Sequence, residues 1–403
     1  VGFSHDNNIK VLAEGVETPD ELRTVIALGC DLIQGFYTGR PSPDILQHID
    51  LNIKDEICRY QKEHQEGANR RGYKTGRVSR ISAGSLVRDG YQKIVSAGEE
   101  VSFRDYVLSG TPGQKTELTI EIQEGYDGQI TLENVSLVSP KLRPCIDIAP
   151  GAKLTIILHG ENTFIGGGIM VPEGAQLTLL GDGDLTIQAN RREYAAIGFA
   201  GGKAGLMEFY QDGTILIETG GTRGVGIGGT EGADIHIYRG KYIIHQNSDT
   251  GTGIGCVEGN IKLDVNSCDI DMTFLGGTGT GIGSLKGSAD LGMSKTYFHC
   301  RAMADEYTAF GSCGGEKAAI RFKELGVDMD INAGTATGTG ALHGNSKILM
   351  DEVSYRYTGK GQKNFAFGGV DGKGSMEVKK SIIKTQVENE AGKETLLSSG
   401  SAV

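Results

Sequence analysis

Two short stretches of this sequence place carboxylates at alternate positions, Asp269-Ile270-Asp271 and Asp328-Met329-Asp330. In an extended strand, alternate residues share a face and stand about 6.6–7 Å apart, so each pair would present two acids to one side. Such a pair suits acid–base chemistry at a glycosidic bond or ligation of calcium. His299 and Arg301 follow the same alternation between them and extend the candidate face with a titratable ring and a fixed cation. A plainer reading stands beside this one, because a strand with one buried face turns polar side chains to water on the other. The strings Gly276-Gly277-Thr278-Gly279-Thr280-Gly281 and Gly334-Thr335-Ala336-Thr337-Gly338-Thr339-Gly340 share only composition with phosphate loops. No Gly-Lys-Ser/Thr follows them, so they read as chain corners. The eight histidines show no pair at metal spacing. The seven cysteines show no Cys-x-x-Cys, a pattern of free thiols in a reducing compartment rather than a disulfide framework.

The elements that must carry these residues show a repeat. Glycine supplies 63 of the 403 residues, about twice the usual share. An apolar-glycine element recurs at Ile197, Ile227, Ile254, Ile282 and Phe310, with steps of 30, 27, 28 and 28. Ile120, Ile146 and Ile169 continue the series upstream, and Leu342 and Phe367 extend it downstream with looser steps of 32 and 25. Each period also holds short alternating runs such as Ile235-His236-Ile237 and Ile261-Lys262-Leu263-Asp264-Val265. A period near 28 with two or three short strands and glycine corners predicts one coil of a parallel β-helix, in which equivalent apolar positions stack inward. A β-propeller blade needs about 40 residues or more and is disfavoured. The expected fold is mainly β, a right-handed parallel β-helix of about ten coils over residues 96–385, with a polar tail at 386–403.

The net charge of −11 argues against a nucleic-acid polymer as partner and against docking on anionic lipid. No run approaches the roughly 18 apolar residues of a membrane span. Tryptophan is absent, which removes the favoured sugar-stacking side chain, although 14 tyrosines and 12 phenylalanines remain.

The first 66 residues have a different texture, with few glycines. Ile9-Lys10-Val11-Leu12-Ala13 reads as a short buried strand. Thr18-Pro19-Asp20-Glu21 then opens a helix, with Thr18 as cap, Pro19 at the first helical position and Glu21 completing a capping box. Gly29 is expected to end that helix, and Asp31-Leu32-Ile33-Gln34-Gly35 forms a second strand, giving a βαβ unit. Residues 43–66 favour helix, and residues 67–95 read as a basic connector.

The stretch Val11-Leu12-Ala13-Glu14-Gly15-Val16-Glu17-Thr18 strongly resembles the EGVET segment of EAL-type cyclic-di-GMP phosphodiesterases. The resemblance continues through Leu28-Gly29-Cys30-Asp31-Leu32-Ile33-Gln34-Gly35-Phe36-Tyr37 to Arg40-Pro41-Ser42-Pro43. It implies that residues 1–52 are the C-terminal piece of such a domain, the last two βα units of a TIM-like barrel, followed by a linker over 53–95. It also implies that Glu14 is an acidic metal ligand at the catalytic centre and that Gln34 lines the same site, both at strand carboxyl ends. The metals would be Mg2+ or Mn2+ in the intact domain, the substrate cyclic-di-GMP and the compartment the cytoplasm. The family's other catalytic residues would precede Val1, and a chain beginning Val1-Gly2-Phe3 reads as a cut. One carboxylate cannot hold two metals, so the fragment is expected to be inactive and metal-free. The β-helix then senses, localises or oligomerises such an enzyme. The alternatives are a module that binds carbohydrate or protein, and a β-helix polysaccharide lyase or hydrolase.

Overall fold

The computed structural model describes residues 10–28, 30–40, 79–83, 92–94, 105–111, 113–139, 143–189 and 193–389, with isolated positions at 53, 56, 57 and 60. The chain divides into two compact units, Val1–Gly76 and Arg77–Val403.

In the first unit, strands β1 (Leu12–Ala13) and β2 (Leu32–Ile33) pair in parallel, with helix α1 (Pro19–Ala27) as the crossover between them. The capping box forms as read: the Glu21 amide donates to Thr18 Oγ1 at 3.3 Å, and Glu21 Oε2 accepts from the Thr18 amide at 3.0 Å. Asp31 Oδ2 accepts from the Val11 amide at 2.8 Å, tying the entry of one strand to the other. Val16, Leu22, Ile26 and Tyr60 form a small core. Leu12, Leu28, Leu32 and Phe36 are 45–58% exposed, and among the described residues the sheet of this unit has two strands. Gly29 and most of the helix expected over 43–66 lie outside the described residues. Positions 53, 56, 57 and 60 are helical.

The second unit is a β-solenoid of about ten turns. Its named strands pair in parallel from coil to coil, and the inward alternation builds the core. Ile120, Ile146, Ile169, Ile197, Ile227, Ile254, Ile282 and Phe310 are successive partners in one ladder, and all are fully buried. Several strands run through a whole coil, such as Lys203–Gly229 and Lys317–Ala341. In Lys203–Gly229 the pairing to the next coil shifts register between Lys203 and Leu206, Phe209 and Tyr210, and Tyr210 and Thr214.

Two expectations are corrected. Leu342 is not in the ladder: Phe310 pairs with Thr339, and Thr339 with Phe367. The steps there are therefore 29 and 28 rather than 32 and 25. Leu342 belongs to a second buried stack with Ala195, Val225, Val257, Leu285 and Cys313. Thr339 is accommodated in the apolar ladder because its hydroxyl lies 3.0 Å from the Tyr355 hydroxyl, which satisfies a buried polar group. The segment expected as connector also already contributes strands. Ser79–Ser82 pairs with Tyr106–Ser109, and Gln92–Ile94 with Ile120–Ile122. Flanking Arg, Lys and Gly conceal these short strands in the composition.

The corner after the ladder explains the glycines. Gly198, Gly228, Gly255, Gly283, Gly311 and Gly340 stack in register with φ between +124° and +143°. A Cβ on Gly255 would stand 1.8 Å from the carbonyl oxygen of Gly283 on the next coil. Hydroxyls hook neighbouring coils together at the same corner. Ser284 Oγ donates to Gly259 O at 2.6 Å, and Ser312 Oγ to Gly287 O at 2.6 Å. A different corner uses left-handed backbone without glycine, at Ser267, Lys295, Glu324, Glu352 and Lys380, with φ from +44° to +57°. Among the described residues no helix is long and apolar enough to cross a membrane.

Two stability measurements follow from these corners. Gly255→Ala is expected to cost about 3 kcal/mol or more in urea unfolding, from positive φ and backbone overlap together. Ile254→Asp, which buries an unpaired charge in the ladder, should be at least as damaging. Glu324→Gly relieves left-handed strain of about 1–2 kcal/mol and should raise the melting temperature. An unchanged or lower value would show that the corner is not strained.

Candidate functional site

In the first unit, Glu14 and Gln34 each follow the last paired position of their strands, Ala13 and Ile33. The Gln34 amide donates to Ala13 O at 2.8 Å, and the Val16 amide donates to Gln34 O at 3.2 Å. The backbone thus brings the two residues to neighbouring strand ends, with both side chains exposed. The glycines of the segment have local work. Gly15 turns at φ +75° directly after Glu14. Gly35 lies against Val16 so closely that a Cβ would meet its carbonyl oxygen at 1.9 Å. Glu56, which sequence reading missed, is buried and accepts from the Tyr37 hydroxyl at 2.7 Å and the Tyr60 hydroxyl at 3.1 Å. Its spacing from Tyr60 is one helical turn, the only signal the sequence offered.

On the solenoid, all six candidate residues occupy the outer face of one sheet, on three successive coils. Asp271 is in register with His299, and His299 with Asp328. In the neighbouring column Arg301 is in register with Asp330, and Asp269 lies two residues before Asp271 on its coil. Asp269, Asp271, Arg301 and Asp330 are exposed, whereas His299 and Asp328 are half-buried. The next coil adds Arg356, in register with Asp328. Its Nη2 lies 2.5 Å from Asp328 Oδ1, while His299 Nδ1 lies 3.8 Å from Asp328 Oδ2. Asp328 therefore shares its charge with two basic neighbours, and its hydrogen bond holds the Arg356 guanidinium above its ordinary value. Arg356 was legible as the position one period after Asp328, but its identity drew no attention alone. Among the described residues no group of three or more His, Cys, Asp or Glu side chains could hold a metal ion. The arrangement is a column of polar and charged side chains in register on successive coils.

The described cysteines are free. Burial pushes Cys256 up to about 11. Burial and the nearby Glu306 carboxylate push Cys313 up to about 12, and burial is also the main cause that raises Cys300 to about 12. Cys268 is shifted further in the same direction by burial. Below the ordinary thiol value of about 9, folded and unfolded chains bind the same protons at these sulfurs. Above it the unfolded chain loses protons that the folded chain retains, so stability should fall as pH rises from about 9 toward 11–12. A urea midpoint that does not fall over that window would contradict the burial of these thiols. In the native protein at pH 8, iodoacetamide should leave all four unmodified until the chain is unfolded.

Comparison with protein families gives one match: residues 1–41 match the EAL domain. Comparison with curated proteins and with solved structures gives none. The strand-end acid, the turn glycine and the capped helix described above fall inside the matched segment. Residues 1–41 thus match the EAL domain, in one chain with a β-solenoid of about ten turns.

Proposed function

We propose that the first unit is the closing part of a cyclic-di-GMP phosphodiesterase domain and that the solenoid is a binding module that directs that enzyme to a ligand or partner. The observation that carries the first half is the EAL match over residues 1–41, with Glu14 and Gln34 side by side at the ends of paired parallel strands. In that domain Glu14 would supply one oxygen ligand to the metal centre, and the Gln34 amide would hydrogen-bond to phosphate or the attacking water. The EAL family is generally dependent on divalent metal. The described residues do not by themselves fit Mg2+ or Mn2+, since no metal-binding group of three forms among them and hard divalent ions take several oxygen ligands. The metal belongs to the completed domain. A cyclic-di-GMP substrate is the reason to assign the chain to the cytoplasm, and the free cysteines among the described residues fit a reducing compartment. The solenoid half is supported by the outer face of polar and charged side chains, on which Asp328 pairs with Arg356.

Turnover of cyclic-di-GMP tests the reading. The 403-residue chain should show none with Mg2+ or Mn2+. A longer protein that completes the barrel should hydrolyse the nucleotide in a metal-dependent way. In that protein Glu14→Gln should keep the fold and lower kcat by about 100-fold or more, with a smaller loss for Gln34→Ala. Full activity in the Glu14→Gln variant would show that the segment has no catalytic role.

A further inference from the structure

On the solenoid surface, at the corner where Ser267 carries left-handed backbone, lies an open groove of about 720 Å³. Tyr297 forms part of its wall and is 52% exposed, a large apolar surface left to solvent. In the ladder it stands between Asp269 on the preceding coil and Gly326 on the next. A Cβ on Gly326 would stand 2.6 Å from Tyr297 Cδ2. The ring therefore occupies the space where a side chain at 326 would rise, held against the sheet rather than projecting freely.

The charges around the ring balance. Arg239, Lys241 and Lys295 face the same groove as Asp212, Asp269 and Glu324, and Arg239 Nε lies 3.0 Å from Asp212 Oδ1. A polyanion would meet three carboxylates there and a polycation three bases, so the lining favours an uncharged ligand. Hydrogen-bond donors and acceptors surrounding one aromatic ring suit a molecule that is polar at its edges and apolar on its face. A pyranose ring has that character, with hydroxyls at the rim and C–H groups on the face.

We propose that this groove binds a neutral glycan, with one sugar ring stacked on Tyr297 and its hydroxyls bonded to Asp269, Lys241 and Glu324. The inference rests on reading the solenoid as a binding module and gives that module a ligand class and a place. It also gives a role to Asp269 as a hydrogen-bond acceptor instead of a catalytic acid.

Calorimetric titration of the full chain with cellohexaose, xylohexaose, mannohexaose and chitohexaose tests this, with hexagalacturonate and cyclic-di-GMP as anionic probes. At least one neutral hexasaccharide should bind. Tyr297→Ala should weaken that binding at least tenfold, and Gly326→Val, which displaces the ring, should do likewise. Asp269→Asn serves as a milder change that keeps the ring, and it should weaken binding by a smaller factor. Met303→Ala, an exposed residue outside the groove lining, should change nothing. Melting temperatures of each variant within a few degrees of the parent establish that the fold survives. No binding of any neutral probe, or binding of the anions alone, overturns the proposal. Neutral-glycan binding that Tyr297→Ala leaves intact overturns the site while the binding-module reading stands. None of these outcomes touches the phosphodiesterase reading, which is decided by turnover.

Discussion

Everything in the solenoid depends on coils lying one strand spacing apart, about 4.8 Å, with the same backbone position repeated directly above itself. At that spacing a corner that turns with positive φ and touches its neighbour cannot carry a side chain. The glycine column from Gly198 to Gly340 is the result. Because the corner is fixed, the residue before it always points inward, and the Ile and Phe ladder stacks without a break except at Thr339. The core is therefore built one coil at a time, with each coil stabilising only its neighbours.

The same constraint governs the outer surface. Side chains in register on successive coils are forced into contact, so like charges in one column would repel. From Asp271 through His299 and Asp328 to Arg356 the column sets acids against a base or a titratable ring, before Lys384 follows Arg356, and Arg301 stands beside Asp330. Of the acids read as suited to acid–base catalysis, Asp328 is paired with Arg356 from the neighbouring coil. The glycine at 326 works differently from the corner glycines. It has no turn to make, and its missing side chain is the space that Tyr297 occupies.

The first unit obeys a more local logic. Its helix is defined by its own capping box and its strand ends by two turn-forming or closely packed glycines, Gly15 and Gly35. These interactions act over a few residues, so they persist in a small α/β piece whose Leu12, Leu28, Leu32 and Phe36 remain open to water. Positioning of Glu14 beside Gln34 comes from one parallel strand pair, whereas a metal centre needs several strand ends at once.

Much was legible before any coordinates. The period near 28 and the inward Ile positions identified stacked coils, because a short repeat cannot bury its apolar face alone. The EGVET segment carried its resemblance, and Thr18 to Glu21 announced a helix start through side-chain and backbone groups close in sequence. What only the tertiary structure decided was phase. Coils differ in length, from the 23-residue step at Ile146 to the 30-residue step at Ile197, because corners absorb extra residues. Neighbours between coils therefore cannot be summed from spacing. Hydrogen-bond register made Thr339 the ladder residue in place of Leu342, set Arg356 on Asp328, and laid Tyr297 over Gly326. Each of those contacts joins residues about one coil apart, and no local pattern in the chain encodes which pair will meet.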